Sequence, residues 1–457
     1  MSFPDSNPPG FPGIAHPDAR VLVANAYAAL RGQPPDPADT SQSVTLEATE
    51  TGEFLSLLKH NPRIHPLRLP NHPEIQARLG RPTYPNLRLR ALLRAASLYV
   101  SDALRRESRW ITQPVQSTGG ERFWLVPESK GLFRLEIARK LPKDDDEIAP
   151  TLRSCHKGLE IIPEKIATWT IAKSPHRLDY ADTLLRDRTR GGNLRIAVCP
   201  MTRDACFSIR TLDGFPADQP RFILESIDNE PPQLDMLDRV LRQAHDEGIS
   251  ILVLPELRMP PALLRRLSRF LNDQTHADLR AGKGILAVAA GSWHIPNQPD
   301  QGWLNRMSIY NHRGMPILQH DKLAPYTHPE HGLEGIDPGT TLQFLETSIG
   351  RIAGAICVGF FHKPLEQLLI ASRAEIFLVP AMSPRTTDLI ARAGELVRSQ
   401  RASTFVAACA TVGNTPEGAS FYRTPLAKQP TLHHSGDLLT FHFQFTDPHG
   451  PPPGNEV

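Results

Sequence analysis

Along the second half of the chain, hydrophobic residues arrive in short, nearly unbroken runs set off by turns. NLRIAVCPM (193–201), ISILVLPE (249–256), GILAVAAGSWH (284–294), MSIYNHRG (307–314), MPILQHDKL (315–323), TTLQFLE (340–346), GRIAGAICV (350–358), AEIFLVPAM (374–382) and TFVAACATVG (404–413) all have this form. Runs that are apolar at successive positions rather than alternate ones predict strands covered on both faces. Between several of them lie helical patterns: LDMLDRVLRQAHDEG, MPPALLRRLSRFLND, HKPLEQLLIASR and RTTDLIARAGELVRSQR. Strands alternating with helices predict an α/β domain whose sheets are sheathed by helices.

The first half has a different texture. Leu89, Leu92, Leu93, Ala96, Tyr99 and Ala103 fall at helical spacing, which predicts a helix starting after Pro85. ERFWLVPE and GLFRLEIARKL alternate like two strands joined by a turn. KDDDE, at 143–147, reads as a solvated loop. Residues 1–44 hold NPPG, FPG and QPPDPAD around one apolar stretch, VLVANAYAAL, and are expected to be disordered. The division expected from these patterns is therefore 1–44 Pro-rich, 45–190 mixed α+β of no evident role, 193–445 α/β, and 446–457 a disordered tail.

Composition narrows the picture only a little. The chain has 457 residues, with 51 basic and 49 acidic side chains, so overall charge argues for no polyanionic partner. Between 60 and 110, however, ten arginines stand against Glu74, Asp102 and Glu107. That excess could meet a phosphate backbone or an acidic partner, but a solvated helix face or internal pairing is the preferred reading. Five scattered cysteines (Cys155, Cys199, Cys206, Cys357, Cys409) do not form a disulfide framework. With no signal-like N-terminus and no apolar run of about 18 residues, a cytoplasmic protein without a membrane span is expected.

Three strand ends carry candidate chemistry. Glu256 closes ISILVLPE, Lys322 follows MPILQHD, and Cys357 lies near the end of GRIAGAICV between Gly354 and Gly359. Each alone has an ordinary reading: a solvated acid, a surface amine, a small buried hydrophobe. Together they supply what metal-free amide cleavage needs, namely a thiol nucleophile, a base and a cation for the oxyanion. Cys199 and Cys409, in other apolar runs, are assigned to the core.

In that order, and with LVLPE, HDKLAP and GRIAGAICV as carriers, the region from about 193 to 445 resembles the nitrilase, or carbon–nitrogen hydrolase, superfamily. LLIASRAEIFLVPAMS and VRSQRASTFVAACATVGN are similar to the family's later stretches. The resemblance implies a nitrilase-like α-β-β-α sandwich, beside the additional mixed α+β N-terminal region, and a homodimer or larger assembly. It also implies no cofactor and a Glu256–Lys322–Cys357 triad, while HPEH at 328–331, with a proline between its histidines, fits no metal-ligand spacing. The Val358 N–H and Lys322 would hold the oxyanion, and the substrate would be a small amide, carbamoyl compound or nitrile. A second glutamate is expected at Glu334, in LEGIDPG, in preference to Glu330. The sequence departs from the family at Val358-Gly359 and His362-Lys363-Pro364, and carries an extra loop from Thr202 to Asn229. Those departures motivate an alternative, in which the altered domain senses a ligand or mediates protein contacts. His312, His320, His328 and His331 are read as solvated loop histidines, with His320 a candidate to orient the lysine loop.

Overall fold

The structure is a computed structural model. It describes residues 18–30, 41–59, 72–79, 85–106, 113–127, 159–201, 205–297, 302–383, 386–400, 402–409, 421–424 and 429–444. The expected strand at 131–141, the loop at 143–147, Cys155 and the tail at 446–457 lie outside them. The chain forms two compact units, residues 1–128 with 142–165, and residues 129–141 with 166–457.

In the first unit, helices Ala19–Leu30, Ser41–Lys59 and Pro85–Arg106 share a core with an antiparallel sheet of Val115–Gln116, Arg122–Pro127 and Leu159–Pro163. Leu22, Val23, Phe54, Leu92, Ala96, Phe123 and Ile161 make that core. Ala19–Leu30 corrects the expectation that 1–44 is disordered throughout. Its apolar residues at helical spacing find a partner surface, and the Pro-rich flanks at 1–17 and 31–40 are outside the described residues. Four of the ten arginines pair internally. Glu50 pairs with Arg78 at 2.7 Å and Arg88 at 3.2 Å, and Glu47 with Arg90 at 3.4 Å and Arg94 at 3.2 Å.

The second unit contains two seven-stranded sheets. In the first the order is Pro316–Asp321, Trp303–Asn311, Ala287–Pro296, Ile251–Leu254, Leu194–Val198, Leu438–Phe443, Thr431–Ser435. In the second it is Phe421–Arg423, Ser403–Ala408, Ile376–Ala381, Gly350–Gly354, Thr341–Thr347, Trp169–Lys173, with Lys165–Ile166 at the edge. The sheets pack face to face. Phe405 of one meets Phe441 and Phe443 of the other at 5.7 and 5.9 Å between ring centres. Ala197, Leu252 and Val288 of the first sheet turn the opposite way, into a core with Met236, Val240, Leu263 and Leu267 of helices Glu230–Asp246 and Pro261–Asn272. Thr386–Gln400 and the short helices Val358–Phe361 and Glu366–Ala371 accompany the second sheet, where Phe360 packs on Phe377. The result is an α-β-β-α sandwich. All four residues of Ile251–Leu254 and all six of Ile376–Ala381 are buried, as strands covered on both faces must be.

Two boundaries differ from expectation. The units divide near residue 165, not 190, because Trp169–Lys173 pairs in parallel with Thr341–Thr347 and belongs to the second sheet. The extra stretch, over its described residues 205–229, is not an open loop. Phe207–Thr211 and Arg221–Ile227 form an antiparallel hairpin, and the second strand pairs in parallel with Gly332–Glu334. Among the described residues no helix is long and apolar enough to cross a membrane.

Candidate active site

Glu256 lies just beyond the strand Ile251–Leu254, Lys322 directly follows Pro316–Asp321, and Cys357 follows Gly350–Gly354 in the other sheet. The loop carrying Glu256 makes a close approach to its neighbour. Leu257 adopts φ +56°, and Gly291 (φ +63°) forms a bulge where a Cβ would lie 2.1 Å from the Pro255 carbonyl oxygen. Only glycine fits there without displacing the glutamate loop.

The side chains converge. Lys322 Nζ is 2.8 Å from Glu256 Oε1 and 2.6 Å from Glu334 Oε2. Asn305 Nδ2 donates to both carboxylates, at 3.0 Å to Glu256 Oε1 and 2.8 Å to Glu334 Oε1. The Met382 N–H, at the end of Ile376–Ala381, donates to Glu256 Oε2 at 2.9 Å and so ties the second sheet to the first. The Cys357 thiol faces the Met382 carbonyl at 4.0 Å, on the residue whose N–H holds Glu256, and feels the charges of both Glu256 and Lys322. Cys357 itself has φ +42° and ψ −111°, immediately before the helical turn Val358–Phe361. A non-glycine residue in this region stores about 1–3 kcal/mol of strain. The Cys357 N–H bonds to the Pro380 carbonyl at 3.0 Å, which holds the turn against the neighbouring strand.

Glu256, Lys322, Cys357 and Glu334 are all at most 2% exposed. Burial lowers the Lys322 ammonium's affinity for its proton, but the Glu256 and Glu334 charges outweigh it and push the pKa up. Burial opposes ionisation of Glu334, yet the Lys322 ammonium and the His294 hydrogen bond hold its pKa well below the usual carboxylate range. The Cys357 thiol is pushed up, first by burial and then by the Glu256 charge, against the pull of Lys322. The Lys322 ammonium thus lies between Glu256 and Glu334, beside the Cys357 thiol.

The two candidates for a second glutamate part company. Glu334 is inside the cluster and every acceptor position is taken: Oε1 by His294 and Asn305, Oε2 by Lys322 and, at 2.9 Å, the Tyr326 N–H. Glu330 is exposed, and its N–H donates to His328 Nδ1 at 3.1 Å. His294, Asn305 and the Met382 N–H are participants that strand patterns alone do not single out. A register reading could have found one relation, since His294 and Asn305 are cross-strand partners and therefore share a face.

The histidine cluster separates too. His312 and His320 are buried, not solvated, and burial lowers the pKa of each to about 4. His328 and His331 are half-buried, with rings 4.7 Å apart. Cys199 is buried, and burial pushes its thiol up to about 12. Cys409 is buried as well, but it accepts from the Arg258 guanidinium at 2.8 and 3.2 Å, so it is more than a small apolar filler.

No protein-family model matches the chain. No curated protein matches it either. Solved structures do. An amidase from Nesterenkonia sp. is 19% identical, with the match covering 56% of this chain and 92% of that one at a TM-score of 0.39. A glutamate-to-glutamine mutant of the Nesterenkonia sp. AN1 amidase, bearing the acetamide moiety of fluoroacetamide on its active-site cysteine, is 20% identical over the same shares, also at 0.39. Nit3 of Saccharomyces cerevisiae, described as a member of branch 10 of the nitrilase superfamily, is 15% identical, covering 55% of this chain and 90% of that one at 0.37.

Proposed function

We propose that the second unit is a thiol hydrolase that cleaves a non-peptide carbon–nitrogen bond in a small amide, carbamoyl compound or nitrile. The observation that carries this reading is the meeting of a thiol, a carboxylate and an ammonium from three separate strand ends, with Lys322 Nζ 2.8 Å from Glu256 Oε1. On an amide, Cys357 attacks the carbonyl carbon while its proton passes to Glu256. The oxyanion forms against the Lys322 ammonium and the Val358 N–H, which is the first of its helical turn and has no intrahelical acceptor. Glu256 returns the proton to the leaving nitrogen as the C–N bond breaks, and ammonia or an amine departs from a thioester. Glu256 then takes a proton from water, the hydroxyl attacks the thioester, and the acid leaves as the thiol regains its hydrogen. A raised thiol pKa favours this coupled proton transfer over a preformed thiolate. Glu334, with its acceptor positions filled, serves as a fixed anion and not as the base. A homodimer or larger assembly and a cytoplasmic location belong to the same reading.

A second reading draws support from burial. Cys357 is 2% exposed, so substrate can reach the sulfur only if neighbouring groups move. A domain that keeps this cluster for stability and binds a ligand or partner elsewhere would look the same. Alkylation by iodoacetamide separates the two, with adducts located by peptide mass. The hydrolase reading expects Cys357 to react at least tenfold faster than Cys409, and Cys357→Ala to abolish turnover of any amide the wild type cleaves while the fold is retained. Labelling of Cys357 no faster than Cys409 would favour the binding module.

A further inference from the structure

The hairpin at 205–228 has no place in the reaction just described, yet it touches the centre at three points. Its strand Arg221–Ile227 pairs with the strand that carries Glu334. The Leu333 N–H bonds to the Pro220 carbonyl at 2.9 Å and the Gly335 N–H to the Phe222 carbonyl at 2.7 Å, one on each side of the glutamate. Leu224 and Ile227 of the same strand pack with Leu257 and Trp293, next to Glu256 and His294 in the chain. The third contact is chemical. The Leu224 N–H donates to His294 Nδ1 at 2.8 Å, and His294 Nε2 lies 2.9 Å from Glu334 Oε1. His294 and Glu334 side chains are at most 1% exposed.

A backbone N–H can only donate, so Nδ1 carries no hydrogen. Nε2 must then carry it and donate to the carboxylate. The other two states of the ring fail. With hydrogen on Nδ1 alone, two donors face each other at Leu224, and a lone pair faces Glu334. With hydrogen on both nitrogens, the Glu334 bond survives, but the Leu224 N–H is left buried against a donor. One state in three satisfies both neighbours, and the residue that selects it sits on the hairpin.

We propose that the hairpin is part of the reaction centre: through the Leu224 N–H it holds His294 as the Nε2–H tautomer, and His294 holds the Glu334 carboxylate, and with it Lys322, in register with Cys357. His294 is a positioning residue, since its ring bonds to Leu224 and Glu334 and, among the described hydrogen bonds, to none of the three reacting side chains. Its effect on reactivity rests on the hydrolase reading above; its tautomer does not.

The test uses the full chain labelled with [15N]histidine. Multiple-bond 1H–15N spectra at pH 7 identify the His294 signal by its loss in His294→Gln and give its tautomer. Nε2–H is expected; Nδ1–H or an imidazolium overturns the proposal. Cys357 alkylation by iodoacetamide then reads the consequence. Gln places an amide nitrogen where Nε2 stands, whereas Asn reaches only the Nδ1 position. His294→Gln should react within about twofold of wild type, and His294→Asn and His294→Leu should be slower by on the order of 10–100-fold, as for a displaced catalytic group. If His294→Leu fails to fold, the Gln–Asn contrast decides, and equal rates for those two overturn the proposal. If wild-type Cys357 is no more reactive than Cys409, the hydrolase reading falls, and the tautomer still decides whether the hairpin sets His294.

Discussion

Each unit of this protein buries carboxylates among basic side chains, and the two arrangements have different logic. In the first unit, Glu47 and Glu50 of helix Ser41–Lys59 face Arg88, Arg90 and Arg94 of helix Pro85–Arg106 and Arg78 of a third helix. Arginines outnumber acids, the backbone is regularly helical, and Arg78 and Arg94 stay about one-fifth exposed. In the second unit, carboxylates outnumber the cation. One ammonium serves Glu256 and Glu334, all three are at most 2% exposed, and the neighbouring thiol sits on a strained residue. Buried charge alone therefore does not mark a reaction centre. What the second cluster adds to buried charge is an excess of one sign, a neighbouring thiol and a strained backbone, and on these the hydrolase proposal rests.

The comparison breaks first at Lys322. Removing the shared cation leaves two buried carboxylates with no counter-charge, so Lys322→Met is expected to cost about 3–5 kcal/mol of stability. Chemical denaturation, with hydrogen exchange in the 251–296 peptides, measures it. A loss below about 1 kcal/mol would make the centre energetically no different from a surface pair.

How much of this was legible in the sequence follows from the range of each interaction. The apolar runs forecast the doubly covered strands, because burial on two faces leaves its signature within a few residues. Glu256, Lys322 and Cys357 stood out because polar or nucleophilic groups end otherwise apolar strands. His294 did not. In GSWHIP it reads as one more residue of a buried strand, and the donor that gives it meaning, Leu224, lies 70 positions away. The division near residue 165 was hidden for the same reason, since Trp169–Lys173 is identified as part of the second unit only by its pairing with Thr341–Thr347. The helix Ala19–Leu30 was masked by prolines on both sides that say nothing about its twelve residues.

Acid should separate the two units before either is mutated. His320 has a folded-state pKa of about 4, below its ordinary 6.5, because burial disfavours the imidazolium. The unfolded chain then binds the extra proton between those values, so stability is intact above pH 6.5 and falls as pH drops toward 4. The loss from this one residue amounts to at most about 3 kcal/mol. Glu50 has a lowered pKa, so its stabilising contribution is present above its ordinary 4.5 and is lost only below that. Hydrogen exchange at pH 7.0 and 5.0 should show strand 316–321 losing protection while helix 85–106 does not. Equal loss in both would remove the distinction. In His320→Phe the pH dependence in 316–321 should shrink to the part that His312, also held at about 4, contributes.

The smallest effect belongs to the first unit. Replacing Glu50 with Gln keeps the shape and a hydrogen-bond acceptor while removing the charge. Arg78 is about one-fifth exposed and is also paired with Glu53, so it keeps both a partner and access to water. The cost should be about 1–2 kcal/mol, the scale of a charged hydrogen bond exchanged for a neutral one, and well under that of Lys322→Met. Denaturation of Glu50→Gln alongside Lys322→Met puts the two networks on one scale. A loss for Glu50→Gln that equals the loss for Lys322→Met would mean that the helix pair is as tightly balanced as the strand-end cluster. The excess of carboxylate over cation in the second unit would then have no energetic signature of its own.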